Sequence, residues 1–363
     1  MKNLEDTIEQ GSSSAQPVST ENMPFVSVIV PCRNEEKYIA RCLESILAND
    51  YPGDRMEILV LDGMSEDHTQ AIVADYAQHH QQLRLVNNPT RTIPTAMNRG
   101  IRQAKGEVVM KLDAHSTYRK DYISNSVHFL EQYGADIVGG ILKIVPGRET
   151  TVAQAIALAL SHAFGSGNAY VKIGCTEPRW ADAVSWGSFK KGVFERVGLW
   201  NEELAGSSDM DFNVRLKKAG GRILLVPSIV TAYCADSDLG SLWRHNFADG
   251  VWATYVLKFG SKAWAWRHWI PMFFVASLAG SAGLSLFLPK FWWLFWGIAG
   301  AYMLANLAAS AQVVLRERKL DFLPVLPVVF AVRHFSHGLG ALYGLVLALL
   351  PGKHWKGRRS AKG

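Results

Sequence analysis

Cysteine is scarce: four residues in a chain of 363, Cys32, Cys42, Cys175 and Cys234, with no two in a C-x-x-C pair. They are expected as free thiols rather than as a disulfide framework. No internal repeat is apparent. Basic residues do not cluster with aromatic ones except after residue 240, which argues against nucleic acid as a partner. The stretch 1–23 is rich in Ser, Glu, Gln and Asn and has no apolar core. It is neither signal peptide nor span and is expected as a disordered tail. Two later stretches lack charge altogether, Ile270 to Leu288 and Phe291 to Leu315. Each is long enough to cross a hydrocarbon core of ~30 Å.

The N-terminal half alternates strand and helix. Phe25–Val30 is a short apolar run that Pro31 is expected to stop. Glu36–Leu47 reads as a helix with Tyr38, Ile39, Cys42, Leu43 and Ile46 on one face. Strands follow at Met56–Leu61, Leu83–Val86 and Val108–Leu112, with helices at Thr69–Tyr76 and Pro94–Ala104 between them. This alternation predicts a mostly parallel sheet with helices on both faces. Ligands of such sheets gather at the carboxyl ends of the strands. Three polar clusters fall there: Pro31-Cys32-Arg33-Asn34-Glu35, Asp62, and Asp113-Ala114-His115. A carboxylate and an imidazole two residues apart suit a divalent ion such as Mn²⁺ or Mg²⁺, which would neutralise a diphosphate. The plainer alternative for Asp62 and Asp67 is turn formation through their own backbone.

The ordered series VIVPCRNE (28–35), EILVLDGMSEDHT (57–69), NRG (98–100) and DAH (113–115) resembles family 2 glycosyltransferases of the GT-A fold. The spellings DGMS and DAH, with FGSGN (164–168), are similar to the succinoglycan-biosynthesis glucosyltransferase subfamily. The resemblance covers residues 24 to about 235. It implies a nucleotide pocket lined by Pro31, Arg33 and Glu35, with Asp62 accepting the uracil N–H. Asp113 would face the ribose and the phosphates, and His115 would join it on the metal. It places the general base at Asp209, although Ser208 stands where Glu is usual. Gly187 and Asp182 fall in the acceptor region, with Asp211 beside them. Without the resemblance, Ser208 or Asp209 would cap a helix at Phe212–Ala219 and Asp211 would suit its first turn. Arg244 is expected on a diphosphate or, equally, snorkelling at an interface.

The expected layout is a tail at 1–23, a GT-A domain at 24–240, a Trp-rich interfacial segment at 241–269, a membrane region at 270–350 and a basic tail at 351–363. Trp243, Trp252, Trp264, Trp266 and Trp269, mixed with Arg and Lys, mark a membrane–water boundary. The third apolar stretch, 322–350, carries Pro324, Pro327, Arg333, His334 and His337. It reads either as a third span or as a re-entrant hairpin. The net charge of +6 suits an anionic membrane face and diphosphate substrates. The expected function is inverting, metal-dependent transfer of a hexose, with glucose foremost. The donor would be a UDP-sugar and the acceptor a polyprenyl-diphosphate-linked saccharide in exopolysaccharide biosynthesis, at the cytosolic face of the cell membrane. The alternatives are a polyprenyl-phosphate sugar transferase and a non-catalytic nucleotide-sugar-binding membrane subunit.

Overall fold

The computed structural model describes residues 23–204, 206–259 and 268–350. The expected tails at 1–23 (but for Met23) and 351–363, and Trp264 and Trp266 of the interfacial segment, lie outside them. In chain order the elements are β1 (Val26–Cys32), α1 (Ile39–Leu47), β2 (Met56–Asp62), α2 (Thr69–His79), β3 (Leu83–Asn87), α3 (Ile93–Gln103), β4 (Val108–Lys111), α4 (Tyr122–Gln132) and β5 (Ile137–Val145). There follow α5 (Thr151–Leu160), α6 (Ala163–Ser166), α7 (Tyr170–Ile173), β6 (Arg179–Trp180), β7 (Ser185–Lys190), α8 (Gly192–Val197), α9 (Ser208–Lys218) and β8 (Ile223–Cys234). The chain ends in α10 (Leu239–Tyr255), α11 (Ile270–Ser285), α12 (Phe291–Glu317) and α13 (Leu326–Leu349).

The chain forms two compact units. The first comprises Met1–Lys143 with Gly174–Tyr233, and the second Ile144–Ile173 with Cys234–Gly363. An eight-stranded sheet of order β3-β2-β1-β4-β7-β5-β8-β6 runs through the first. It is mixed, not mostly parallel as expected. Strands β3, β2, β1 and β4 pair in parallel. The pairs β4–β7, β5–β7 and β6–β8 are antiparallel. Pro31 does not stop β1, which continues through it to Cys32 opposite Asp62. Pairing with β4 ends at Ile29. Pro31 therefore lies beyond the doubly paired part of the strand, where a missing N–H is tolerated. Tyr38 is exposed and precedes α1, which buries Ile39, Cys42, Leu43 and Ile46.

A buried carboxylate ties the parallel strands. Glu57 on β2 accepts from the Ser27 hydroxyl of β1 at 2.6 Å and from the Lys105 N–H at 2.7 Å. Arg84 of β3 reaches its other oxygen at 3.2 Å. Ser27 in turn accepts from the Gly106 N–H at 2.8 Å. No side chain fits at 106, because a Cβ there would lie 2.5 Å from the Ser27 nitrogen.

The second unit is helical. Ala155, Ile156, Ala159 and Leu160 of α5 pack with Val313, Leu326, Val329 and Phe330 in one apolar core. The stretch 144–173, expected inside the GT-A domain, is thus part of the helical unit. The apolar helices also depart from expectation. α11 has only 16 residues, about 24 Å at the usual rise, which is short for the span expected at 270–288. Stretch 322–350 is no hairpin: α13 is a single helix of 24 residues, with Pro327 in its first turn, where proline is accommodated. Among the described residues two helical stretches, Phe291–Glu317 (α12) and Leu320–Leu349 (α13 with the short turn before it), are long and apolar enough to cross a membrane. α10 is not a free interfacial helix. It buries Leu242, Val251, Trp252 and Tyr255, and the Thr254 hydroxyl donates to the Ala341 carbonyl of α13 at 2.6 Å.

Replacing Glu57 by Ala leaves Ser27, the Lys105 N–H and Arg84 without their acceptor. We expect a loss of about 2–4 kcal/mol, read as a lowered thermal unfolding midpoint of the full chain.

Candidate active site

Because β2, β1 and β4 run in parallel as neighbours, their carboxyl ends bring Asp62, the loop after Cys32 and Asp113 to one rim. The loops after β1 and β2 are stitched together. The Asn34 N–H donates to the Ser65 hydroxyl at 2.9 Å, and Asn34 Oδ1 accepts the Glu66 N–H at 2.9 Å. The Glu35 N–H donates to Thr69 Oγ1 at 2.8 Å. Asp67 accepts from the Glu36 N–H and from Thr69. Asp67 is thus a loop former, as its turn chemistry suggests.

Asp62 is fully buried. Its oxygens accept from the Ser65 N–H at 3.0 Å, the Ser65 hydroxyl at 2.5 Å and the Gln70 amide at 2.5 Å. Asp62, expected to accept the uracil N–H, is in this structure bonded within its own loop. Arg33 pairs with Glu66 at 3.2 Å. Its buried Nε has no partner among the described residues. Pro31, on β1, and Glu35, on the loop after it, are half-buried.

Asp113 is the centre of the rim. Lys111 Nζ stands 3.0 Å from Oδ1, and the Trp186 indole N–H donates to Oδ2. The Asp113 N–H donates to the Tyr118 hydroxyl at 2.7 Å. Burial alone would raise its pKa, but Lys111, His115 and the two donors outweigh burial and hold it below the ordinary carboxylate value. It is therefore an anion throughout the neutral range. His115 Nδ1 lies 3.2 Å from Glu35 Oε1. Asp113 and His115, with Glu35 beside them, are donors of the type a Mn²⁺ or Mg²⁺ ion accepts. Among the described residues no group of three or more His, Cys, Asp or Glu is placed to hold an ion. The fit is thus that of an ion held by one or two side chains and completed by phosphate oxygens.

A recess opens beside this rim, lined by Lys111, Val184, Trp186, Gly187, Phe189, Trp200, Asp209 and Asn213. Lys111, Trp200 and Asn213 were not expected as site residues. Lys111 alone had left a signal, as the one charge in the apolar run 108–112. α9 begins at Ser208, four residues earlier than expected, and neither Ser208 nor Asp209 caps it. The cap position is Ser207, in the left-handed region at φ 55°, without a side-chain bond. Asp209 is exposed, and its Oδ1 accepts the Met210 N–H at 2.9 Å. Asp211 is buried against Arg215 at 2.9 Å. Arg215 also donates to the Val197 and Leu199 carbonyls, so Asp211 braces the loop instead of facing an acceptor. Asp182 is exposed and paired with Lys217. Arg244 lies exposed on α10, in the second unit. Asn34, Met64, Trp186 and Ser207, all with positive φ, sit on the loops and strand that carry these residues. Such conformations cost ~1–3 kcal/mol each and gather at functional sites.

The mixed α/β sheet with polar strand ends is that of the GT-A fold. Residues 27–176 match the Glycosyl transferase family 2 domain, and the chain carries a domain of that family; it is a glycosyltransferase. It is 24% identical over 89% of its length to a dolichyl N-acetyl-alpha-D-glucosaminyl phosphate 3-beta-D-2,3-diacetamido-2,3-dideoxy-beta-D-glucuronosyltransferase of Methanococcus voltae, 98% of which is covered. It is 27% identical to the succinoglycan biosynthesis protein ExoA of Rhizobium meliloti, over 66% of this chain and 70% of that one. The solved mannosyltransferase PcManGT of Pyrobaculum calidifontis, in complex with GDP-Man and Mn²⁺, shares the GT-A fold. Its TM-score is 0.53 at 21% identity, with 91% of this chain and 92% of that one covered.

The two acidic residues of α9 differ in kind. Asp211→Asn should cost about 1–3 kcal/mol, since it leaves Arg215 partly buried without its counter-charge. Asp209→Asn, at an exposed position, should move the unfolding midpoint by less than its own measurement error. Differential scanning of the two variants side by side checks this.

Proposed function

We propose that the chain is an inverting glycosyltransferase that moves a hexose, glucose foremost, from a UDP-sugar to a lipid-linked saccharide at a membrane surface. The observation that carries the reading is the adjacency of two chemistries. An anion-ready rim of Arg33, Asp113 and His115 adjoins a recess that exposes Asp209. In the reaction Asp209 takes the proton of an acceptor hydroxyl as its oxygen attacks the anomeric carbon. A new C–O bond forms there, the bond to the diphosphate breaks on the opposite face, and configuration inverts. Such a base contributes ~10²–10⁴-fold. Arg33 and Lys111 offer positive charge to the departing diphosphate. A divalent ion held by Asp113 and His115 would supply the remaining counter-charge as a Lewis acid. With Asp62 tied within its loop, the choice of uridine rests on the resemblance of the motifs.

The relatives named for dolichyl-phosphate sugars and for succinoglycan support a lipid-linked saccharide acceptor and an exopolysaccharide role. We further propose a multi-pass membrane location with the catalytic face towards the cytosol; membrane association itself is supported by the two long apolar helices. It is supported too by the exposure of the large apolar side chains Leu286, Phe287, Trp293, Trp296, Leu304 and Leu315.

UDP release from UDP-glucose, with a lipid extract as acceptor, should require Mn²⁺ or Mg²⁺ and fall at least ~10²-fold in Asp209→Asn. Metal-independent turnover of His115→Ala at the wild-type rate would remove the metal from the reading. Retention of more than a tenth of turnover by Asp209→Asn would remove the base. After high-salt and carbonate washing, the full chain should stay with the membrane fraction, and its recovery in the supernatant would dismiss the spanning helices.

A further inference from the structure

Lys111 ends β4, a strand whose other residues are apolar. Its ammonium donates to Asp113 Oδ1 at 3.0 Å and has no other hydrogen-bond partner among the described residues. The second carboxylate oxygen is taken as well, since the Trp186 indole N–H of β7 donates to Oδ2. His115 Nδ1 is paired with Glu35 Oε1 at 3.2 Å. Asp113 therefore offers a cation an oxygen only when one of its two donors moves. The donors differ in how readily they can. Trp186 carries its N–H on a rigid ring packed against Tyr233, with centroids 6.4 Å apart. Lys111 carries a compact charge on a flexible four-carbon stem, with donors that rotate. The side chains of Lys111 and Asp113 are 15% and 20% exposed, so an ion can approach the carboxylate and the ammonium can leave it.

We infer that Lys111 competes with the divalent ion for Asp113 Oδ1 and gives way when a nucleotide diphosphate is there to receive its ammonium. The inference rests on the reading of Asp113 as a metal ligand. It makes Lys111 a positioning residue that couples the ion to the nucleotide. Charge balance is the reason. An ion arriving alone would displace a positive charge and then stand beside it, and like charges repel strongly where water is largely excluded. A diphosphate brings enough negative charge for both cations. When the nucleotide departs, the ammonium returns and Asp113 is not left as an uncompensated, mostly buried charge, which would be costly. The coupling is reciprocal: whatever factor the nucleotide adds to the ion's affinity, the ion adds to the nucleotide's.

The test is Mn²⁺ binding to the detergent-solubilised full chain, followed by the electron paramagnetic resonance of the free ion. It is run alone, with UDP and with GDP, and corrected for the Mn²⁺ that each nucleotide takes up in protein-free solution. In the wild type a nucleotide should tighten Mn²⁺ binding. Lys111→Met should bind Mn²⁺ alone roughly ten-fold more tightly, the worth of one hydrogen bond between charged groups. With nucleotide it should bind Mn²⁺ about as the wild type does, so the nucleotide's enhancement shrinks by the same factor. Lys111→Arg keeps the charge and should bind Mn²⁺ alone no more tightly than the wild type. A loosened site would weaken Mn²⁺ binding under every condition, which is the opposite sign. Unchanged or weaker binding of Mn²⁺ alone by Lys111→Met would mean that the ammonium merely neutralises a carboxylate, and the inference would fall. If Lys111→Met does not fold, Lys111→Gln, neutral but polar, decides by the same readings. A wild-type chain that binds no Mn²⁺ with either nucleotide would overturn the metal reading itself, whereas failure of the inference alone leaves that binding intact.

Discussion

The site depends on β1 lying in parallel between β2 and β4, and that arrangement is held by one buried carboxylate. Glu57 takes bonds from Ser27, from the Lys105 backbone and from Arg84. It thereby joins β1, β2, β3 and the entry to β4. A carboxylate buried with this many donors is stabilising only because all its partners are present. The register that follows sets Cys32 beside Asp62 and Ile29 beside Lys111. A slip of one residue would turn Lys111 to the other face of the sheet, and Asp113 would lose its cation.

Asp113 gathers what the rim can do. It sits among Lys111, the Trp186 indole and His115, which together keep it charged against the effect of burial. Trp186 and Lys111 belong to both parts of the site, since each bonds Asp113 and each lines the recess with Asp209. Cys32 and Cys42, buried close by, have their thiols pushed upward, first by burial and then by the neighbouring carboxylates. They stay protonated and add neither nucleophile nor metal ligand.

The strands and helices up to β4 were legible because their signals are local. Short apolar runs punctuated by Gly, Pro and Asp leave little freedom. The antiparallel half of the sheet was not legible, since its pairings join β4 to β7 and β6 to β8 across long separations that no period encodes. Site residues divided in the same way. Asp113 and His115 stand at the end of a readable strand, and Asp209 stands in a readable motif. The burial of Asp62 was hidden, because the same Asp-x-x-Ser spelling serves a ligand contact and an Asx turn alike. Asp209 and Asp211 likewise look equivalent in the sequence. Only the distant carbonyls of Val197 and Leu199, which fix Arg215, separate them.

The stretch 322–350 was the hardest to read, because Arg333, His334 and His337 seemed to forbid a simple span. Within the second unit Arg333 and His334 find partners. Arg333 donates to the Gly165 carbonyl and to Asn246 at 2.6 Å. His334 lies between the Tyr302 hydroxyl at 3.0 Å and the Phe164 carbonyl at 2.9 Å. The opposing backbone can come this near because small residues face it. A Cβ at Gly340 would lie 2.1 Å from the Phe247 carbonyl oxygen, and one at Gly344 2.3 Å from that of Val251. Their four-residue spacing is that of helices which pack closely in lipid. Polar groups within an apolar helix are costly only when they face hydrocarbon. Arg333 and His334 of α13 are engaged by α6, α10 and α12.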